Sequence, residues 1–355
     1  MNPPAVNTAL ADLTTLRVGG PIARLVRADS EGQLIAAVTA ADDAGEPVLL
    51  LGGGSNLLPA DEPFNGLVVQ DARTHLDIGS VGACGGADVT ATAGMRWDDL
   101  VVQAIAEGWS GVEALSGIPG TVGATPVQNV GAYGQEVGDV IASVRTWDRE
   151  QRRIRTFARA ELALGYRSSI LKRSLRQPWH PSPRYLVLQV SFQLPLATLS
   201  SPIRYPELAG TLGVAVGTRA DAGEVRAAVL ALRGGKGMVL DGDDHDTWSA
   251  GSFFTNPILS ADVPLPAGAP RFDTDGRVKT SAAWLIRAAG FEPGFALPDG
   301  NGSASLSTKH ALAITNRGGA RAADLVALAR TVRDGVREAH GITLEPEPVL
   351  VGLRL

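Results

Sequence analysis

The sequence predicts an α+β fold, and three observations carry that expectation. Strand-like runs come in hairpin-like pairs, as at SVRTWD (143–148) and RIRTFA (153–158). Helical patterns stand apart from these pairs and do not alternate with them in a βαβ series. The stretch LATLSSP (196–202) reads as a boundary, after which the pattern changes.

Each element has a local reason. Ser30 and Gln33 have capping-box spacing, apolar Leu34, Ile35 and Val38 follow, and Gly45-Glu46-Pro47 stops the helix. PVLLLGGG (47–54) is a buried strand entering a glycine turn, and GLVVQD (66–71) and ADVTATAG (87–94) are further strands. A helix is expected from about 98 to 107. The stretch SGIPGTVGATPVQNVGAYG (116–134) has five glycines, two prolines and no charge, so it is neither a regular helix nor a solvated loop. YLVLQVSFQL (185–194) is the strongest β run. Beyond the boundary, a helix is expected at about 222–233 and a short amphipathic one at SAAWLIRAAG (281–290). ALAITN (311–316) is a strand, and Leu325, Leu328, Val332 and Val336 form one stripe of a helix over 321–339. VLVGLRL (349–355) is a final strand.

A chain of 355 residues is long enough for two or three domains with their own cores, and 45% apolar with 19% charged residues is a globular composition. The net charge of −5 argues against a nucleic-acid partner. Cys84 is the sole cysteine, which excludes a disulfide framework and a thiolate metal site and fits a reducing cytoplasm. MNPPAVNTALADL has neither the basic nor the apolar region of a signal peptide, and no apolar run nears the ~18 residues of a membrane span.

Three stretches suggest chemistry. LLLGGGSNLL (49–58) imitates a dinucleotide fingerprint, with Asp71 ending a later strand, but Pro59, Pro63 and Gly66 leave no room for the crossover helix. Gly52, Gly53, Gly54, Ser55 and Asn56 still suit a phosphate cradle; a plain tight turn is the competing reading. In the uncharged loop, Gly117, Gly120, Gly123, Gly131 and Gly134 let backbone approach a flat ligand, with Thr125, Gln128 and Asn129 as polar handles. A buried structural loop is the alternative. One large planar cofactor carrying a diphosphate would account for both glycine stretches. In WSAGSFFTNP (248–257), Ser252 lacks the G-x-S-x-G setting of a nucleophile because Phe254 occupies the second glycine position, and a packed serine is its default reading. DGDDHD (241–246) fails as an EF-hand, since Asp246 stands where glycine is required and Ser252 where the closing glutamate belongs. It reads as a solvated acidic loop, and no metal site is expected.

Taken in order, TTLRVGG (14–20), LGGGSNLL (51–58), SGIPGTVGATPVQNVGAYG (116–134), GYRSS (165–169), RYPEL (204–208), GSFFTNP (251–257) and LEPEP (344–348) resemble the UDP-N-acetylenolpyruvoylglucosamine reductase family, in its form with a tyrosine-bearing loop. The resemblance spans the chain from about residue 7 onward. It implies an α+β, vanillyl-alcohol-oxidase-like (PCMH-type) FAD region in two subdomains, here 1–75 and 76–200, followed by an α+β substrate domain over 201–355. It also implies tightly but non-covalently bound FAD, NADPH as hydride donor, and UDP-N-acetylglucosamine enolpyruvate as acceptor in peptidoglycan precursor synthesis. No nucleic acid, membrane insertion or obligate protein partner is implied.

Residue by residue, the resemblance assigns FAD contacts to Gly52–Asn56, Gly117, Ile118, Gly120, Gly123, Ala124, Thr125, Gln128, Asn129 and Tyr166. Tyr133, Tyr205, Lys236 and Asn256 match substrate contacts, with Tyr205 and Lys236 on the diphosphate and Asn256 on the sugar side. Arg167 matches the cation at the substrate carboxylate, Ser252 the proton donor to the enolate, and Glu347 the third catalytic residue, expected to be protonated or linked through Arg167 or water. The two phenylalanines after Ser252 are expected as walls excluding water. Departures from the family pattern are Pro206 for a common glycine, Ser168 for a frequent aspartate, and Pro348 for a hydrophobic residue. An FAD oxidase or dehydrogenase for another substrate would explain the glycine stretches but not Tyr205, Lys236, Ser252 and Glu347 together; a non-catalytic sugar-nucleotide binder would take up no FAD.

Overall fold

The computed structural model describes residues 8–355; the reading of residues 1–7 as part of a segment without a signal sequence lies outside them. Two compact units emerge. One comprises Ile22–Gly53 and Asn65–Gly234; the other comprises a segment ending at Pro21, Gly54–Phe64 and Gly235–Leu355. The first unit thus continues past the sequence change at 196–202.

In the first unit, the helix Glu31–Asp43 starts where expected, with Ser30 Oγ accepting the Gln33 N–H at 3.3 Å. The reciprocal bond is displaced by one residue: Gln33 Oε1 accepts from the N–H of Asp29 at 3.0 Å, not from that of Ser30. Leu34, Val38 and Ala41 pack on a three-stranded sheet ordered Ile22–Ala28, Phe64–Asp71, Val48–Leu50, where Val48, Leu67 and Val69 meet them. Each fully buried leucine or valine among them stabilises by about 1.5–3 kcal/mol.

A five-stranded antiparallel sheet follows, in the order Arg153–Ala158, Ile141–Asp148, Tyr185–Leu194, Gly86–Thr92, Leu76–Gly82. Its long strand Tyr185–Leu194 serves two cores. Leu186 and Leu188 close the core beneath Glu31–Asp43, whereas Val187, Val190, Phe192 and Leu194 enter the larger core around the helix Trp97–Ala106. A register shift between Val187 and Gln189 permits this, because one extra residue flips the side-chain parity. Hence YLVLQVSFQL reads as a nearly continuous apolar run. Arg145 and Arg73 both reach Glu31, tying the five-stranded sheet to the helix start, and hydrogen bonding by Arg145 holds the Glu31 carboxyl below the usual carboxylate range. The helices Pro206–Leu212 and Ala222–Gly235 also belong to this unit, packing Leu208, Ala209, Val225 and Val229 against Ala114 and Ile203.

The core of the second unit lies under the helix Ala322–His340, whose stripe Leu325, Leu328, Val332 and Val336 is buried as its spacing predicts. Gly341, at φ 68°, ends it. The helix Ala282–Ala288 and the hairpin Ala304–Leu306 with Ile314–Asn316 pack against it. Val349–Val351 pairs in parallel with Leu57–Pro59, and the predicted strand stops at Val351 because Gly352 turns at φ 72°. Phe253 and Phe254 lie edge to face, 0% and 1% exposed, inside this core. They therefore anchor the segment from below and do not wall an open site, as the sequence had suggested. Among the described residues no helix is long and apolar enough to cross a membrane.

Candidate active site

The glycine turn and the uncharged loop meet. A Cβ on Gly53 would lie 2.7 Å from Gly120 Cα, so the two glycine stretches pack backbone on backbone. Gly54 is left-handed at φ 63°, and a Cβ there would sit 1.9 Å from Leu13 O. The N–H groups of Gly52, Gly53 and Gly54 donate to no acceptor among the described residues. Bare donors on glycine backbone next to an uncharged loop are the environment that a diphosphate-bearing planar cofactor requires, so FAD fits these residues.

The uncharged loop is held from within. Thr125 Oγ1 donates to Val122 O at 2.8 Å, and Gln128 Oε1 accepts from Lys172 Nζ at 3.4 Å. Ile118 packs, partly buried, on the larger core; Gly123 is buried against Ala93, and Ala124 is exposed. Asn129 is 2% exposed and strained at φ 48°. Its amide nitrogen donates to Glu136 Oε2 (2.6 Å) and Gly165 O (3.3 Å), and its oxygen accepts from Gly138 N (3.0 Å). It thereby ties the loop to the GYRSS turn.

That turn closes through reciprocal bonds between Gly165 and Ser168, putting Tyr166 and Arg167 at its tip. Arg167 adopts φ 49°, its guanidinium lies over the Tyr166 ring at 5.4 Å, and Nη2 donates to Gly131 O at 3.2 Å. Tyr133, also left-handed at φ 48°, meets Tyr205 edge to face at 5.5 Å. Three of the seven left-handed non-glycine residues among those described, Asn129, Tyr133 and Arg167, are therefore site candidates, and backbone strain of this kind collects at functional sites. Pro206 is accommodated as the first residue of a helix, where its fixed φ is favourable, and Tyr205 precedes it 42% exposed.

In the second unit, Ser252 is partly buried between left-handed Gly251 (φ 69°) and the phenylalanine anchor. Phe253 N–H donates to Leu312 O at 2.7 Å, and Phe253 O accepts the N–H of Glu347 at 2.8 Å. Asn56 Nδ2 donates to Glu347 O at 3.3 Å, and Asn56 O accepts from Val349 at 3.0 Å. Asn56, Ser252 and Glu347, distant in sequence, thus share one backbone junction, with Ser55 beside Asn56. Asn256 Oδ1 accepts the first N–H of the helix Ala282–Ala288 at 2.9 Å, and Lys236 directly follows the helix Ala222–Gly235. Arg167, Tyr133 and Tyr205 belong to the first unit, and Ser252, Glu347, Lys236 and Asn256 to the second.

One residue that fixes the loop escaped the sequence. Asp98 receives the Gly117 N–H at 2.7 Å and a bidentate Arg226 pair at 2.7 Å, fixing the start of the uncharged loop. Burial alone would raise its pKa, but Arg226 and the Gly117 N–H outweigh burial and hold it below the usual carboxylate range. Nothing in the string WDDL distinguished it from an ordinary helix-start acid. Asp98→Asn should loosen the loop and weaken FAD binding by about 10-fold, since one charged hydrogen bond is worth about 1.5–3 kcal/mol. Fluorescence titration of the apoprotein with FAD measures this, and an unchanged dissociation constant would remove Asp98 from the site. The DGDDHD reading needs correction at Asp246. That residue is only 5% exposed and accepts Thr308 N and Oγ1 and Arg317 Nη1, so it is a structural clamp, whereas Asp241, Gly242 and Asp243 are exposed as in a solvated loop.

A model of an FAD binding domain matches residues 22–156, and a model of the C-terminal domain of UDP-N-acetylenolpyruvoylglucosamine reductase matches 243–351. The protein is a flavin-dependent oxidoreductase with an α+β fold. UDP-N-acetylenolpyruvoylglucosamine reductase of Cutibacterium acnes is 57% identical over 97% of this chain and 89% of its own, and that of Thermobifida fusca is 51% identical over 99% of each. The crystal structure of the reductase from Thermus caldophilus superposes with a TM-score of 0.63 at 26% identity, covering 97% of both chains. The chain belongs to the UDP-N-acetylenolpyruvoylglucosamine reductase family, whose place is in peptidoglycan synthesis.

Proposed function

We propose that the protein reduces UDP-N-acetylglucosamine enolpyruvate to UDP-N-acetylmuramate in the cytoplasm, consuming one NADPH and one proton and releasing NADP⁺. Residues 1–75 and 76–200 would hold the cofactor, and residues 201–355 would carry most substrate contacts. When bound, FAD would supply hydride transfer from NADPH to the enolpyruvyl methylene carbon. Gly52, Gly53 and Gly54 offer their N–H groups to the diphosphate, with Ser55, Asn56 and the 117–129 positions around the rest.

Hydride addition leaves an electron pair on the adjacent carbon, delocalised into the carboxylate. The Arg167 guanidinium meets that carboxylate, and its attraction strengthens as charge develops. Ser252 Oγ–H donates its proton to the carbon, and solvent returns a proton to the oxygen. Glu347 sits across the junction as the third catalytic residue. Tyr205 and Lys236 hold the diphosphate, Tyr133 supports Tyr205, and Asn256 faces the sugar.

The observation that supports this reading most is the Glu347 N–H to Phe253 O bond, which sets Glu347 one residue from Ser252. Anaerobic absorbance tests it. NADPH should bleach the bound flavin, and UDP-N-acetylglucosamine enolpyruvate should restore the oxidised spectrum. Reoxidation by another acceptor but not by this one would discard the substrate assignment, and a colourless protein that takes up no FAD would discard the enzyme.

A further inference from the structure

TTLRVGG (14–20) has no task in the reaction proposed above, yet Thr15 joins two parts of the second unit. Its N–H donates to Gly54 O at 3.1 Å, and its hydroxyl donates to Ser249 O at 2.6 Å. Ser249 Oγ in turn accepts the N–H of Gly251 at 3.1 Å, closing a serine turn two residues long. Gly251 then runs left-handed into Ser252. A continuous chain of three bonds therefore leads from the glycine turn to the residue beside the proposed proton donor.

Ala250 and Phe253 on either side of the turn are packed in the core, but the Cβ side of Gly251 is open, since a Cβ built there has nothing within 4 Å. The bonds to Ser249 therefore add to that packing in setting the direction of the turn, and they are shielded: Thr15 is 7% and Ser249 6% exposed. Thr15 itself stands on a rigid base. Asn316 Nδ2 donates to Leu16 O and Arg17 O at 3.0 and 3.2 Å, and Thr14 Oγ1 donates to Val18 O at 3.1 Å.

We infer that Thr15 and Ser249 are positioning residues that hold the Ser252 hydroxyl in register with the Gly54 turn. The inference rests on Ser252 being the proton donor. Neither residue contacts the reacting atoms; both act through backbone. Proton transfer to carbon needs the donor within hydrogen-bond reach, and a misplacement of about 1 Å can cost ~10²-fold.

Stopped-flow measurement of both half-reactions on the FAD-loaded protein tests this, beside Ser252→Ala as reference. In Thr15→Val and Ser249→Ala, bleaching by NADPH should keep its wild-type rate, while reoxidation by UDP-N-acetylglucosamine enolpyruvate should slow by ~10-fold or more, with a larger solvent deuterium effect. Thr15→Ser and Ser249→Thr, which retain the hydroxyl, should recover most of that loss. Before any substrate is added, hydrogen exchange at the Gly251 amide should rise by about 10-fold or more in Ser249→Ala. Ser249→Ala removes a single acceptor, so it decides the matter if Thr15→Val does not fold. Wild-type reoxidation in Ser249→Ala beside a slow Ser252→Ala overturns the positioning role and leaves the proton donor standing. Equal slowing of both half-reactions overturns it as well, showing general destabilisation. Wild-type reoxidation in Ser252→Ala removes the proton donor and the positioning role with it.

Discussion

Ser252→Ala should leave flavin reduction by NADPH untouched and slow reoxidation by the enolpyruvyl substrate by ~10²–10⁴-fold, the usual worth of a positioned general acid. The substitution is clean. Phe253 keeps its bond to Leu312 O and its acceptance of the Glu347 N–H, and the Phe253–Phe254 pair stays in the core, so the junction survives loss of one hydroxyl. The two half-reactions separate the outcomes: hydride arrival from NADPH needs no proton from Ser252, whereas completion of the lactyl ether does. Rapid mixing of the anaerobically reduced protein with substrate gives the rate. Reoxidation at the wild-type rate would falsify the assignment.

Arg167→Lys should lower kcat/KM for the enolpyruvyl substrate by ~10²–10³-fold, comparable with loss of a preorganised donor at a developing oxyanion. Lysine preserves the charge but not the planar fork, so it cannot meet a carboxylate with two parallel bonds while also reaching Gly131 O. Both residues bear a Cβ and suffer the same strain at φ 49°, which makes the comparison one of head groups and not of backbone. Steady-state kinetics, with FAD absorbance confirming a loaded protein, give the answer; a lysine variant as active as wild type would show that charge alone suffices and that no bidentate contact is made.

Periodicity and caps made most elements readable. The stripe of Ala322–His340 and the Ser30 start needed only local spacing, and both formed within a residue or two of expectation. What escaped depended on non-local contact. The parity flip within Tyr185–Leu194 arises from pairing against Ile141–Asp148, which a single strand cannot reveal. Asp246 looked as solvated as the rest of DGDDHD because its Thr308 and Arg317 partners lie more than sixty residues away. The site was legible only as an ordered set of motifs. Composition and spacing left Ser252 as a packed serine, and the Phe pair was misread because an aromatic beside a functional residue looks alike whether it faces the core or the substrate. Asp98 and Ser249 carried no signal, since each acts through backbone N–H groups that sequence does not display.

The parallel pairing of Leu57–Pro59 with Val349–Val351 has a consequence for how the protein is made. Asn56 and Glu347, which bond across it, are 291 residues apart in sequence. Contacts of such separation form late, because the loop must close before they repay its entropy. During synthesis, segments of the first unit can associate while the ribosome is still adding residues, but the Glu347 junction must wait until residues 347–351 have emerged. Until then Leu57–Pro59 has no strand partner, and its apolar Leu57 and Leu58 lack that cover. A nascent chain stalled before residue 349 should therefore be more protease-sensitive and aggregation-prone than one in which Val349–Val351 has paired with Leu57–Pro59.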